Sequence, residues 1–153
     1  MALLPKLSVE EVEAGLYAFF RDRPEILLAY LFGSWLNAPT RVPRDLDLAV
    51  LVDLEQFKIM DREAPYGYPA ELNTAIMEHL RINRVDLTVL HRATPVLAYQ
   101  VIHAGRLIFS RSEELRREFE ISALKRHADT RYLRRIKQTY SEKRVAKGLS
   151  AYD

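Results

Sequence analysis

Apolar residues recur along this chain with two different periods, and the changes of period mark the expected helices and strands. Near the N-terminus, Val12, Leu16 and Phe20 recur at helical spacing. Ser8 and Glu11 precede them at the three-residue separation of a capping box, in which two side chains cap backbone amides reciprocally. The pattern predicts a helix that begins after Ser8 and packs one face on a core.

Short apolar runs with the length of strands occur at residues 25–32, 45–52, 84–90 and 106–110. The first is apolar at nearly every position, which is typical of a strand buried on both faces. Further helices are expected over residues 70–80 and after Thr94-Pro95, with Gly105 as a left-handed cap. Residues 54–66 show no clear element. The expected fold class is α/β (α+β), a small mixed β-sheet flanked by helices.

A long basic helix is expected from Ser112 to the end of the chain, where apolar residues recur every three or four positions between Lys and Arg. Residues 1–110 hold 11 basic and 14 acidic residues, whereas residues 111–153 hold 12 and 7. This helix could be a solvated surface, a partner-docking surface or a nucleic-acid patch. Docking is favoured because the apolar stripe is longer than a small sheet needs, and nucleic acid comes last.

Length and composition limit the classes of protein that this chain could belong to. With 153 residues, of which 48% are hydrophobic, it should form one domain: a core over residues 1–110 and the C-terminal helix over 111–153. No apolar run approaches the roughly 18 residues of a membrane span, and the N-terminus lacks a signal-peptide pattern. The absence of cysteine fits a reducing compartment. We therefore expect a cytoplasmic protein that binds no membrane.

The candidate chemistry lies where Gly33-Ser34 follows the first strand and Asp45-Leu46-Asp47 opens the second, ten residues later. In a strand, Asp45 and Asp47 share one face. Two carboxylates this close would raise one pKa sharply unless a divalent cation lay between them, and Mg²⁺ prefers such oxygen ligands. Glycine before serine lets backbone approach a phosphate closely. The two halves together predict a site for Mg²⁺ and a phosphate.

Asp86 adds a third carboxylate on another predicted strand. It shares a face with Arg84 and Thr88. A carboxylate there could position a metal or accept the proton of an attacking hydroxyl group. Alternatively, Asp86 is a strand-end acid that pairs with Arg84.

The spacing of Gly-Ser, ten residues and Asp-x-Asp resembles the signature of the polymerase-β-like nucleotidyltransferases. The run ATPVLAYQVIHAGRLIF at residues 93–109 is similar to the minimal nucleotidyltransferases (MNT) encoded beside HEPN-type toxins. This resemblance implies that Asp45, Asp47 and Asp86 bind Mg²⁺ and catalyse, and that Gly33 and Ser34 bind the phosphates of ATP. It further implies an antitoxin that transfers AMP to a hydroxyl group, that of a tyrosine, on a HEPN-type toxin ribonuclease.

Two other functions remain open on the sequence. One is a small-molecule nucleotidyltransferase, although such relatives generally need a further domain. The other is a noncatalytic antitoxin that neutralises its partner by binding alone. The noncatalytic antitoxin is suggested by Trp35, Leu36 and Asn37, which stand where close relatives carry Arg and Gly. In the same loop, Arg41 and Arg44 could contact phosphates or be solvated, and Trp35 could stack on a base or join the core.

Overall fold

A computed structural model describes residues 7–37 and 45–146 of the chain. Six helices and four strands follow one another in this part of the chain. In chain order they are α1 (Val9–Arg21), β1 (Ile26–Phe32), α2 (Ser34–Asn37), β2 (Leu46–Val52), α3 (Leu54–Glu63), α4 (Tyr68–Leu80), β3 (Val85–Val89), α5 (Pro95–Ala104), β4 (Arg106–Ser110) and α6 (Glu113–Ala146). A single 3₁₀ turn at Leu90–Arg92 separates β3 from α5. The predicted α/β class with a long C-terminal helix is confirmed.

The four strands form one mixed sheet in the order β3-β2-β1-β4. Strand β1 is antiparallel to both β2 and β4, whereas β2 and β3 run parallel. Parallel neighbours keep their carboxyl and amino ends on the same sides of the sheet. Residues near the beginning of β2 therefore lie beside residues near the beginning of β3.

Apolar side chains cover both faces of the sheet. Ala29 and Leu31 of β1 join the larger core cluster, together with apolar residues of α1 and α4. Leu28 and Tyr30 point to the opposite face and pack with Val101 of α5. The prediction that β1 is buried on both faces is confirmed, and pairing with β2 and β4 on its two edges positions the turn that follows it.

Local capping explains where several helices begin. The predicted box is present in α1, with Glu11 N donating to Ser8 Oγ (3.1 Å) and Ser8 N to Glu11 Oε2 (3.2 Å). Helix α3 was not expected from the sequence; it begins where Asp53 Oδ2 accepts from Gln56 N. Gly105 has φ −80°, so the expected left-handed cap is wrong at that position.

Helix α6 packs against the domain only over its first part. The Tyr30 hydroxyl donates to Glu120 Oε1 (2.9 Å), and Ala123 is buried. The His127 ring stacks on Tyr99, with ring centroids 3.9 Å apart. From residue 131 to residue 146 every side chain is exposed.

In residues 7–37 and 45–146, no helix has both the length and the apolar character of a membrane span.

A buried hydrogen bond fixes the beginning of β1 against α4. The Tyr68 hydroxyl donates to Glu25 Oε1 at 2.9 Å, and Glu25 is buried beside Arg23. Burial, then the Glu25 carboxylate, raises the pKa of Tyr68, so its hydroxyl remains a donor.

We expect Tyr68→Phe to lower the free energy of unfolding by about 1.5–3 kcal/mol, because it removes a donor from a buried carboxylate. Denaturant titration measures this difference. Tyr66→Phe is the matched control: Tyr66 is 91% exposed, and its substitution should change stability by less than about 0.5 kcal/mol. Equal effects of the two substitutions would contradict the assigned role of the Tyr68 hydroxyl.

Candidate active site

The parallel pairing of β2 and β3 brings the predicted carboxylates together. Asp47 on β2 lies in register with Asp86 on β3. Asp45 is the residue before β2, one position short of the predicted strand, and its charge also acts on Asp47. Asp45 and Asp86 are exposed, whereas Asp47 is half-buried. All three carboxylates therefore lie at one end of two adjacent strands.

Asp47 occupies an unfavourable electrostatic position. Burial raises its pKa, and the negative charges of Asp86 and then Asp45 raise the pKa further. A cation bound among these carboxylates would offset the repulsion. The electrostatics of this position therefore favour a positive charge beside Asp47.

Gly33 lies directly against the Asp47 carboxylate. Its φ of +81° is one that only glycine adopts at low cost, and it turns the chain out of β1 into α2. A Cβ at this position would overlap Asp47 Oδ2 and lie 3.0 Å from Asp47 Cγ. The sequence prediction that Gly33 and Asp47 belong to one site therefore agrees with the close approach of the two residues.

The remaining parts of the predicted phosphate loop are only partly described. Ser34 begins α2 directly after Gly33. Trp35 is 8% exposed and joins the core, as one of its two predicted roles required. Arg41 and Arg44, which were offered as phosphate contacts, lie outside the described residues.

Arg84 pairs with Asp45 rather than with Asp86. Its Nε lies 4.0 Å from Asp45 Oδ1, and both side chains are largely exposed. A pair of this kind contributes little to stability. Within the described residues Asp86 has no ion pair, so its carboxylate is not engaged by Arg84 as the alternative interpretation required.

A groove of about 470 Å³ opens beside the carboxylates and was not foreseen. Asp45 and Asp86 line one side of it, and Asn73 and Met77 of α4 line another. Nothing in the spacing of Asn73 or Met77 distinguishes these residues from the core face of an ordinary helix. Only the packing of α4 beside β3 brings them to the site.

The donor chemistry fits a magnesium ion. Carboxylate oxygens on adjacent chain segments are the ligands that Mg²⁺ takes from protein, usually one or two together with water and substrate phosphate. In the part of the chain that the structure describes, no three His, Cys, Asp or Glu side chains converge on one point. Phosphate oxygens and water would therefore have to complete the coordination.

Neutralising Asp47 should stabilise the protein at neutral pH. Because the folded-state pKa of Asp47 is raised, the folded protein holds this proton more tightly than the unfolded chain. Stability therefore falls as pH rises above the ordinary aspartate pKa, about 3.9, toward the raised one. We expect Asp47→Asn to raise Tm at pH 7 and to lose this advantage near pH 3.5, as followed by circular dichroism.

The same two proteins test the cation. Added Mg²⁺ should raise the Tm of the wild-type protein and not that of Asp47→Asn, because a ligand stabilises the folded state that binds it. Without Mg²⁺, a Tm of Asp47→Asn below that of the wild-type protein at pH 7 would contradict the argument that the charge of Asp47 destabilises the folded state.

Comparison with known proteins places these observations in a family. The family model described as "Polymerase beta, Nucleotidyltransferase" matches residues 15–114. No curated protein gave a match. Among solved structures, a toxin-antitoxin with AMP-PNP is similar, with a TM-score of 0.62 and 24% identity over 86% of this chain and 96% of that chain.

Two further solved structures have the same fold. The toxin-antitoxin MntA-HepT matches with a TM-score of 0.57 and 22% identity, covering 88% of this chain and 97% of that chain. A tri-AMPylated Shewanella oneidensis HEPN toxin in complex with MNT antitoxin gives 0.57 and 23%, covering 88% and 96%. At these identities the likeness establishes the fold, which is the one expected from the Gly-Ser and Asp-x-Asp spacing.

Proposed function

Because this chain belongs to the polymerase beta nucleotidyltransferase family, we propose that it is an antitoxin that transfers AMP from ATP to a hydroxyl group of a HEPN-type toxin. The family match covers residues 15–114, which include the whole candidate site. One observation carries the proposal: Asp47 and Asp86 lie in register on adjacent strands, with Gly33 against Asp47. Toxin and antitoxin roles are taken from the structures to which the fold is similar.

The proposed chemistry assigns a role to each residue. Mg²⁺ would be held by one or two of the three carboxylates Asp45, Asp47 and Asp86, with water and phosphate oxygens as its other ligands. When bound, the ion would supply charge neutralisation for the triphosphate. The backbone at Gly33 and Ser34 approaches the β- and γ-phosphates closely. Asp86 accepts the proton of the acceptor hydroxyl, whose oxygen attacks the α-phosphorus. The new bond between this oxygen and the α-phosphorus forms as the bond from the α-phosphorus to the pyrophosphate oxygen breaks.

The proposed acceptor hydroxyl is that of a tyrosine, and the proposed location is the cytoplasm. Tyrosine is taken from the resemblance to minimal nucleotidyltransferases, and the absence of cysteine fits the reducing conditions of the cytoplasm. ATP as the donor is supported by the AMP-PNP bound to a structure of the same fold.

The test is transfer of label from α-³²P-ATP in a lysate of the source cell, with and without Mg²⁺. A labelled protein band that requires both this chain and Mg²⁺ supports the proposal, and mass spectrometry then identifies the modified residue. Label that appears only in small molecules would favour a small-molecule nucleotidyltransferase. Absence of label, with a partner still retained on the immobilised chain, would favour an antitoxin that acts by binding alone.

The partner is expected to dock on the distal part of α6. Tyr132, Ile136 and Tyr140 expose large apolar side chains at four-residue spacing, which places them on one face. Between residues 125 and 146 there are eight basic and two acidic residues, so the surface suits an acidic partner.

Truncation after Thr130 should weaken the partner complex at least tenfold, because it removes this exposed apolar and basic surface. Surface plasmon resonance measures the change in Kd. The cut leaves the buried Ala123 and the Tyr30–Glu120 hydrogen bond in place, so MgATP binding by the truncated chain should be unchanged. Full partner affinity after truncation would place the docking surface elsewhere.

A further inference from the structure

A pocket of about 370 Å³ opens between α5 and the middle of α6, away from the three carboxylates. Its lining combines aromatic rings with cationic side chains: Tyr99, His127, Ala128, Arg131, Tyr132 and Arg135. A volume of this size is within the range of small-molecule sites, roughly 300–1,000 Å³. None of the lining residues is acidic, and the sequence of α5 contains no Asp or Glu. The pocket therefore suits a ligand that carries negative charge.

The inner side of this pocket is aromatic. The rings of Tyr99 and His127 are half-buried and stack with their centroids 3.9 Å apart and their planes 6° apart. The Tyr132 ring lines the same pocket and is 65% exposed. Every nucleobase has a flat π face, so aromatic side chains of this kind bind bases with little regard to their identity. The pocket can therefore hold a base by ring contact.

Two guanidinium groups form the outer side of the pocket. Arg131 and Arg135 are four residues apart on α6, which places them on one face, and both are exposed. Within residues 7–37 and 45–146, neither guanidinium forms an ion pair. A guanidinium binds phosphate oxygens through parallel N–H donors. The pair can therefore hold a phosphate group without a metal ion.

The basic patch is confined to this pocket along α6. Two turns after Arg131 and Arg135 the same face carries Gln138 and Glu142, and Gln138 Nε2 donates to Glu142 Oε1 (3.3 Å). Two turns before Arg131 the face carries Leu124, which is apolar. A nucleic-acid strand that followed the helix would meet a carboxylate on one side and an apolar surface on the other. A single phosphate meets neither.

We propose that the pocket between α5 and α6 binds a free nucleoside 5′-phosphate, with the base on the aromatic side chains and the phosphate on Arg131 and Arg135. The candidate active site lies at the turn after β1 and at the beginnings of β2 and β3, so the two sites share no residue. Binding requires no divalent cation, because the lining residues in the described part of the chain include no carboxylate.

The probe for this pocket is AMP, titrated into the ¹⁵N-labelled full chain in the presence of EDTA. Without a metal ion, the three aspartates repel the phosphate. The backbone amide signals of His127, Arg131 and Tyr132 should shift and saturate. Arg131→Gln combined with Arg135→Gln should weaken binding at least tenfold, because both phosphate contacts are lost. Tyr132→Ala should weaken it at least fivefold through the loss of a stacking ring.

The matched control is the double variant Arg126→Gln and Lys137→Gln. It removes the same two positive charges from exposed positions of α6 that do not line the pocket, and should leave the Kd for AMP within twofold. Adenosine and inorganic phosphate are titrated separately. Each should bind at least tenfold more weakly than AMP, because each retains only one part of the contacts.

Four results would overturn the inference. They are the absence of AMP binding, an equal loss of affinity in the two double variants, inorganic phosphate binding as tightly as AMP, and a 5′-phosphorylated oligoadenylate binding at least tenfold more tightly than AMP. The second and third would indicate general charge attraction, and the fourth a nucleic-acid strand. The inference does not depend on the proposed transfer reaction, since the titration contains neither Mg²⁺ nor an acceptor.

Discussion

Replacing Asp45 and Asp47 together by Asn should reduce transfer of AMP about a thousandfold or more. The double variant keeps the shape of both side chains and removes two of the three negative charges that face the proposed Mg²⁺ site. Without them, the triphosphate charge is no longer neutralised at the point where pyrophosphate departs. Initial rates with α-³²P-ATP and the purified toxin measure the effect.

The control for this variant is Asp22→Asn. Asp22 is an exposed aspartate at the end of α1, paired only weakly with Arg21 at 3.7 Å. Its substitution removes one negative charge before the beginning of β1, whereas Gly33 follows the end of that strand, and should leave the rate within about twofold. Because Asp47→Asn is expected to stabilise the fold at neutral pH, loss of activity in the double variant would not reflect unfolding. Substantial residual transfer would exclude these carboxylates from catalysis.

Gly33→Ala should abolish transfer by a different route, through the geometry of the Asp47 carboxylate. The added methyl group would overlap Asp47 Oδ2, so either the side chain or the turn must move. The positive φ of +81° adds a backbone cost of about 1–3 kcal/mol. We expect activity to fall at least a hundredfold, because displacing a catalytic group by an ångström has effects of that size.

A second glycine separates the two causes. Gly67 has φ +89° before α4, and a methyl group there would meet only Asp61 Oδ1 at 3.1 Å and Pro69 Cδ at 3.8 Å. Gly67→Ala should therefore cost a similar amount of stability and retain transfer. Thermal unfolding and the labelling assay, run on both variants, give the comparison. Equal loss of activity in both would mean that backbone strain, and not contact with Asp47, accounts for the effect.

Periodic apolar patterns were sufficient to predict most of the sheet and its covering helices. Helix α3 was not predicted because Phe57 is its one buried residue, so its sequence has no apolar stripe. The only signal was Asp53, whose side chain caps Gln56 N. Gly105 ends α5 as predicted, but not through a left-handed conformation. Its backbone is extended, and glycine is needed because a Cβ would overlap the Val101 carbonyl oxygen.

The candidate site was predictable where its residues are close in sequence. Gly33, Asp45 and Asp47 form a motif of fixed spacing, so a reading of the chain finds them together. Asp86 was predicted from its strand and from the family resemblance to be a third carboxylate of the site. Its position in register with Asp47 could not be predicted, because it depends on the parallel pairing of β2 and β3. Asn73 carries no sequence signal at all, since only the packing of α4 beside β3 brings it to the groove.

The length of α6 affects how a docked partner would reach the site in the proposed reaction. With 34 residues at about 1.5 Å each, the helix is roughly 51 Å long, although only its first half contacts the domain. A partner held along the remaining half is tethered, so delivery of its hydroxyl to Asp86 becomes an intramolecular step. The rate then depends on the effective concentration set by the tether and not on the abundance of either protein.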